Sequence, residues 1–318
     1  MKKDRRGERV PPYLPLSYQA FLRIRKVYRQ TYTRLQERHR AKQPLDPLLA
    51  DGEVTGPWVD GTLVPNPVTA INKCAAWMEE DLARPDIKAL TEQLVAVKTQ
   101  LASQGLRFTN TAGNFLAREY YPDLERSKLW EDAWVIRHTQ PAPGHQVLDI
   151  GGASTIFSFY LASRGCRVAV VDNDWANCGT LYNARYVATR LGWPLKIVDR
   201  DVSRPLPFPA RSFDRVYSIC VLEHLPSAIR QSLMREVGRV LKPGGLAGFT
   251  CDYDTARQVL VTDRGLRFAY RAKLTRDVIA PSGLAIYGNT DWLDACDAKG
   301  FLGAFVLYKA ASSAIVKT

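Results

Sequence analysis

No run of this sequence is apolar for long enough to cross a bilayer. The longest, Ile156 to Ala162, is broken by Ser158 and falls far short of the roughly 20 residues a membrane helix needs, so no transmembrane segment is expected. The basic opening MKKDRRGERVPPYLPL lacks a continuous apolar core and a small-residue cleavage site, which argues against a secretory signal and makes the cytoplasm the expected location. Cysteine is sparse and scattered: Cys74, Cys166, Cys178, Cys220, Cys251 and Cys296 form no CxxC pair and stand beside no histidine set. That spacing excludes the usual zinc sites and predicts reduced, packed thiols. Internal repeats and low-complexity tracts are missing as well. What remains is a soluble globular composition, 46% apolar and 24% charged over 318 residues, enough for one large core or two modest ones.

Acidic residues are scarce at one end only. Residues 1–42 hold thirteen lysines and arginines against Asp4, Glu8 and Glu37, a net +10, whereas the rest of the chain carries 31 bases against 29 acids. The overall +12 therefore belongs to an N-terminal arm. Within it Phe21, Ile24, Tyr28, Thr31 and Leu35 recur at three- and four-residue spacings among arginines, predicting a basic amphipathic helix over 17–40. Three readings of the arm stand: RNA phosphates, an anionic lipid or carrier-protein surface, or packing of the apolar stripe with the arginines solvated. With no recognisable RNA-binding module, packing or partner docking fits best.

A proline- and glycine-rich stretch from Gln43 to Pro67 predicts an irregular linker. Helices are expected over Asn72–Ala83 and Asp86–Gln104, the second with a stripe of Ile87, Leu90, Leu94, Val97 and Leu101 and a C′ glycine at Gly105. From Glu119 the rhythm becomes strand–helix alternation, the pattern of a parallel sheet covered on both faces. Strands are expected at 146–150, 167–171, 195–198, 213–219, 246–250, 302–309 and 314–317, with helices at 155–164, 175–191, 228–241 and 291–299. The expected division is a basic arm over 1–42, a linker and helical cap over 43–118, and a catalytic domain over 119–318 with an insertion at 252–289.

Chemistry concentrates at the ends of these strands. The first runs Val147-Leu148-Asp149-Ile150 into Gly151-Gly152-Ala153-Ser154. A strand that turns through small residues into a helix lets a ligand approach the backbone and aims unpaired amides at it; the bland alternative is a glycine pair closing a tight turn. The second strand ends at Asp172, about twenty residues on, where a carboxylate can accept both ribose hydroxyls of a nucleoside or simply be solvated. Asp201 follows the third strand. The fourth strand leaves through Cys220-Val221-Leu222-Glu223-His224, and Leu241-Lys242-Pro243-Gly244-Gly245 comes later.

In this order and spacing, over roughly residues 140–252, the sequence resembles class I S-adenosylmethionine-dependent methyltransferases, in particular the branch that includes quinone-biosynthesis methyltransferases. The resemblance implies an α/β, Rossmann-like, mostly parallel seven-stranded sheet with helices on both faces, here with an N-terminal helical extension. It implies S-adenosyl-L-methionine as cofactor. Asp149, Gly151, Gly152 and Ala153 would face its methionine part, Asp172 and Asn173 the ribose, Asp201 and Val202 the adenine, and Cys220 with Val221 would form the floor beneath the sulfonium. Ala153 and Thr155 stand where the motif usually has further glycines, and Ser154 or Thr155 is expected to cap the next helix.

In some relatives a glutamate three residues before the Glu-His pair completes a divalent-metal site. Cys220 occupies that place here, so no metal is expected. His224, with Glu223, is the candidate general base for an acceptor hydroxyl or amine; capping the turn is the other reading. Acceptor contacts are expected from Tyr120, Tyr121, Trp130 and the insertion residues Tyr253 and Arg257. The expected function is methyl transfer to an oxygen or nitrogen of a small-molecule or carrier-bound metabolite. Methylation of RNA or protein recruited by the basic arm, and a non-catalytic binding protein of the same fold, are the alternatives. A nicotinamide-dependent dehydrogenase fits less well, because the first turn lacks GxGxxG.

Overall fold

The computed structural model describes residues 73–74, 79–108, 124, 126–173, 180–252, 275–287 and 302–311. The expected arm helix, the 43–67 linker, the 291–299 helix and the 314–317 strand lie outside them. Five parallel strands form the body of the sheet: β2 (Gln146–Ile150), β3 (Arg167–Asp172), β4 (Leu195–Asp199), β5 (Phe213–Ile219) and β6 (Leu241–Asp252). Strand β8 (Leu302–Tyr308) adds antiparallel to β6. The outer edge of β8 takes two short antiparallel strands, β1 (Lys73–Cys74) and β7 (Ala285–Ile286). The order is β1-β8-β6-β5-β2-β3-β4, the expected Rossmann-like fold with two additional two-residue strands. One expectation fails. Lys73–Cys74 is strand where a continuous helix over 72–83 was read, and helix begins only at α1 (Glu79–Ala83); pairing to Gly303 and Ala304 of β8 overrides the local pattern.

Alternation along the strands explains the two-sided sheet. Val147, Val168 and Val170 point into one core with residues of α2 (Pro85–Ser103), α3 (Arg126–Thr139), α4 (Ile156–Ser163) and α5 (Thr180–Leu191). Leu148, Ile150, Ala169, Val171 and Val216 point into the other with Leu233, Met234, Val237 and Val240 of α6 (Ser227–Val240). Successive strand residues face opposite sides, so buried parallel strands need apolar residues at nearly every position. Helix α4, which reads IFSFYLAS, is buried almost all round. Helix α2 ends as its sequence suggests: Gly105 adopts φ +65°, its N–H donates to Ala102 O, and the Leu106 N–H reaches Leu101 O, a Schellman closure. Among the described residues no helix is long and apolar enough to cross a membrane.

The apolar stripe of α6 contains one charge. Arg230 is fully buried and donates to Asp277 Oδ2, to Leu225 O at 2.6 Å and to Leu222 O at 3.4 Å. It therefore fastens the segment after β5 to the turn at 275–279, which leads through α7 (Ala280–Ser282) into β7. Burial raises the pKa of Asp277, but hydrogen bonds from Arg276 and Arg230 outweigh it and hold the carboxyl well below the usual range. Replacing Asp277 by Ala leaves a buried guanidinium uncompensated and should cost about 3–5 kcal/mol in urea unfolding. Because the folded pKa is depressed, the Asp277 contribution is present above the ordinary carboxylate pKa of about 3.9 and is lost as pH falls below it. The wild-type advantage over Asp277→Ala should shrink from pH 6 towards pH 3.

Candidate functional site

The chain runs β2, β3, β4 towards one side of the sheet and then returns to place β5 and β6 on the other. The switch between β2 and β5 opens a crevice beyond their C-terminal ends, where open α/β sheets bind ligands. Two loops meet there. Gly151 has φ +85°, and a Cβ on it would lie 2.5 Å from Val221 Cγ2. A Cβ on Gly152 would lie 1.9 Å from Asp149 Oδ2. Both glycines are required by close approach, the first also by its left-handed backbone.

The rest of the first loop accommodates its non-glycine residues. Ala153 is buried, and its N–H points at Asp172 Oδ2 at 3.4 Å. Ser154 takes φ +65°, a conformation that costs an L residue roughly 1–2 kcal/mol. Its Oγ donates to Thr180 O at 2.6 Å and accepts from Asn183 Nδ2 at 3.0 Å, which offsets that strain. Thr155 caps α4 by accepting from the Ser158 N–H. Of the two departures from glycine, Ala153 is small enough to be buried in the loop and Thr155 serves as the helix cap.

Asp149 lies beneath this loop with 0% exposure. Its Oδ2 accepts from Ser158 Oγ, and Oδ1 has no hydrogen-bond partner among the described residues. Burial raises its pKa to about 7, opposed by the Ser158 hydroxyl and reinforced by the charge of Asp172. Asp172 is itself buried at the tip of β3 and folds back to accept from the Asn173 N–H at 2.7 Å. On the neighbouring strand end, Asp201 is exposed and accepts from the Ser203 N–H at 2.8 Å, while Val202 packs on the second core.

At the exit of β5, Cys220 adopts φ +50° and Val221 rests on Gly151. A 3-10 turn then spans Leu222–His224. The two candidate bases part company in it: the Glu223 side chain is buried, whereas His224 is exposed. Trp130 is fully buried in the first core, which corrects its reading as an acceptor contact; its indole packs at 6.1 Å from that of Trp134. Tyr120, Tyr121, Tyr253 and Arg257 lie outside the described residues, which hold no cluster of His, Cys, Asp and Glu suited to a metal.

Sequence reading missed one group. Glu131, on α3, is 0% exposed and accepts from Lys128 Nζ at 2.7 Å, Thr250 Oγ1 at 2.6 Å and Cys220 Sγ at 2.9 Å. Its signal was available. Glu131, Trp134, Val135 and His138 share one buried helix face, and a carboxylate inside such a stripe needs partners.

Residues 148–249, from β2 through β6, match the family model described as a methyltransferase domain. These residues carry a methyltransferase domain. Sterol 24-C-methyltransferase of Pneumocystis carinii (strain B80) is 32% identical over 119 residues, covering 36% of this chain and 29% of that protein. Ubiquinone biosynthesis O-methyltransferase of Nitrosococcus oceani is 29% identical over 136 residues, covering 43% and 56% respectively. The crystal structure of a SAM dependent methyltransferase from Aquifex aeolicus aligns with 57% of this chain and 93% of its own, at 14% identity and a TM-score of 0.43. The chain spans less than two thirds of the length of either curated relative, and their names specify different methylated atoms, carbon in one and oxygen in the other.

The methyltransferase cofactor, S-adenosyl-L-methionine, suits this crevice on two observations. Gly152 lets the loop backbone lie directly against the Asp149 carboxyl, with no side chain between them, and Asp149 keeps a buried carboxyl oxygen unused among the described residues. Gly152→Ala should weaken S-adenosylhomocysteine binding by ~100-fold, about 3 kcal/mol, in a calorimetric titration; affinity within threefold of wild type would show that the loop has room to spare. The pH response of Asp149 can be read separately. Its folded pKa is raised, so its contribution to stability is complete below the unfolded value near 3.9 and is lost as pH rises through about 7. Asp149→Asn should therefore gain on wild type in thermal unfolding between pH 5 and pH 8.

Proposed function

We propose that the chain is an S-adenosylmethionine-dependent methyltransferase acting on an oxygen or nitrogen nucleophile of a small-molecule or carrier-bound metabolite, and that residues 119–318 are its catalytic unit. The observation that carries this reading is the meeting of the two loops, Gly151 against Val221, directly above the buried Asp149. Bound there, the cofactor supplies an electrophilic methyl on a sulfonium whose thioether is an excellent leaving group.

The chain's own task is then alignment and exclusion of water. In this reading Gly151, Gly152 and Ala153 admit the methionine portion, and Asp149 takes up its positive charge. Asp172, helped by Asn173, accepts the ribose hydroxyls, while Asp201 and Val202 flank the adenine. Cys220 and Val221 form the floor. The turn Leu222–His224 follows directly, so His224 is the group to take a proton from an acceptor hydroxyl or amine, with Glu223 buried behind it. Tyr121, Tyr253 and Arg257 are assigned to the acceptor side.

A second reading draws on the concentration of charge in the arm, +10 within residues 1–42: a macromolecular acceptor recruited electrostatically. Incubating the protein with labelled S-adenosylmethionine and lysate fractions separates the two. Label in the low-molecular-weight fraction supports the first, whereas label in RNA or protein that disappears when residues 1–42 are deleted supports the second.

Asp172→Ala should abolish calorimetric binding of S-adenosylmethionine while leaving the thermal transition near that of wild type. Near pH 6.5 the wild type should release a fraction of a proton on binding this cationic ligand, because a positive charge beside Asp149 lowers its raised pKa. Heats measured in two buffers of different ionisation enthalpy would report it, and Asp149→Asn should remove the difference.

A further inference from the structure

The structure assigns Glu131, neutralised by Lys128, as a positioning residue that sets the cofactor floor by holding Cys220 and Thr250 from the preceding helix. The inference rests on the proposed function but concerns residues that the motif does not contain. Glu131 uses both carboxylate oxygens. Oε1 accepts from Lys128 Nζ at 2.7 Å, and Oε2 accepts from Thr250 Oγ1 at 2.6 Å and from Cys220 Sγ at 2.9 Å. The partners are not scattered: Cys220 follows the last residue of β5, which borders the crevice, and Thr250 is near the end of the adjoining β6.

Burying a carboxylate completely is unfavourable unless it is paired and hydrogen-bonded. Packing alone gives no reason for a charge here, since the neighbouring buried residues Trp130, Ala133, Trp134 and Val135 are apolar. What the charge does is fix a thiol and a hydroxyl. Cys220 sits at φ +50°, a conformation that non-glycine residues leave unless neighbours hold it. Its N–H donates to Thr250 O at 3.0 Å and to Thr250 Oγ1 at 3.2 Å, and its thiol donates to Glu131. Val221, the next residue, lies against Gly151. The chain of contact therefore runs from Glu131 through Cys220 and Val221 to the loop that the cofactor occupies.

The same arrangement leaves a chemical signature. Burial and the carboxylates of Glu131 and Glu223 push the Cys220 thiol well above its ordinary pKa, and Lys128 opposes them. Thr250 of β6 adds a neutral hydroxyl at 3.7 Å. Removing the Glu131 charge should ease thiolate formation at Cys220, and removing the Lys128 charge should hinder it. A general loosening of the fold would accelerate both.

The test uses the full chain, with iodoacetamide alkylation of Cys220 followed by peptide mass spectrometry from pH 7 to pH 10. Glu131→Gln should raise the Cys220 rate at least ~10-fold at pH 8 and shift its pH profile downward, because the thiolate is the reactive form. Lys128→Met should slow Cys220 below wild type. Cys166 and Cys251, both buried, serve as internal references. Glu131→Gln should also weaken S-adenosylhomocysteine binding about 10-fold, roughly 1.4 kcal/mol. If Glu131→Gln leaves the Cys220 profile and the affinity unchanged, or if both variants accelerate all three cysteines alike, the assignment is overturned. Failure of wild type to bind S-adenosylhomocysteine would instead overturn the proposed function, while the alkylation result would still decide what Glu131 does to Cys220.

Discussion

The crevice exists because a carboxyl group is buried beneath a glycine. Asp149 ends its strand pointing inward, where its oxygen would collide with any side chain at position 152, and Ser158 from the next helix holds it there. This single packing arrangement determines the path of the first loop, keeps that loop free of side chains above the carboxyl, and brings Gly151 against Val221. It also stores a charge problem. A carboxyl with 0% exposure ionises reluctantly, so its charge is stabilised most when a cation comes near it. A ligand carrying a sulfonium and an ammonium answers that demand, whereas a neutral or anionic ligand of the same shape does not.

Among the described residues, carboxyl groups outnumber cations around the crevice. The charge of Asp172 raises the pKa of Asp149, and Glu131 and Glu223 both act on Cys220, with Lys128 held against Glu131. Within a poorly solvated cleft such charges act at greater strength than on the surface. Methyl transfer removes a positive charge from the sulfonium and delivers it, with an amine acceptor, to the product. Under the proposed function, the described carboxyl groups favour the charge of such a product over that of an anionic acceptor.

The legible parts of this molecule are those whose interactions are local. Strands β2, β3 and β5 could be bounded within a residue because apolar runs between turn residues reflect burial on both faces, and the loop after β2 could be read because Gly151, Gly152 and Asp172 are linked by one strand–helix–strand unit. The C-terminus of α2 was visible for the same reason, in one glycine. The failures are long-range. Lys73–Cys74 looks helical in its neighbourhood and becomes strand only through pairing to residues some 230 positions away. Glu131 meets Cys220 and Thr250 across 89 and 119 positions, and no short motif encodes such a meeting. Trp130 looked like an acceptor contact because it lies before the first strand, outside the cofactor motifs, yet the helix turns it into the core.

This division between local and long-range has a functional counterpart. The residues that match the family model, 148–249, supply the loops that fit a cofactor common to many acceptors. The groups that fasten those loops come from outside that stretch: Glu131 precedes it and holds Cys220 from one side, and Asp277 follows it and, through Arg230, holds Leu222 and Leu225 from the other. The six residues from Cys220 to Leu225 are thus anchored at both ends by ion pairs whose buried acidic members belong to flanking segments. The aim of the turn carrying Glu223 and His224 is therefore set by groups outside the residues that match the family model, while the cofactor loops lie within them.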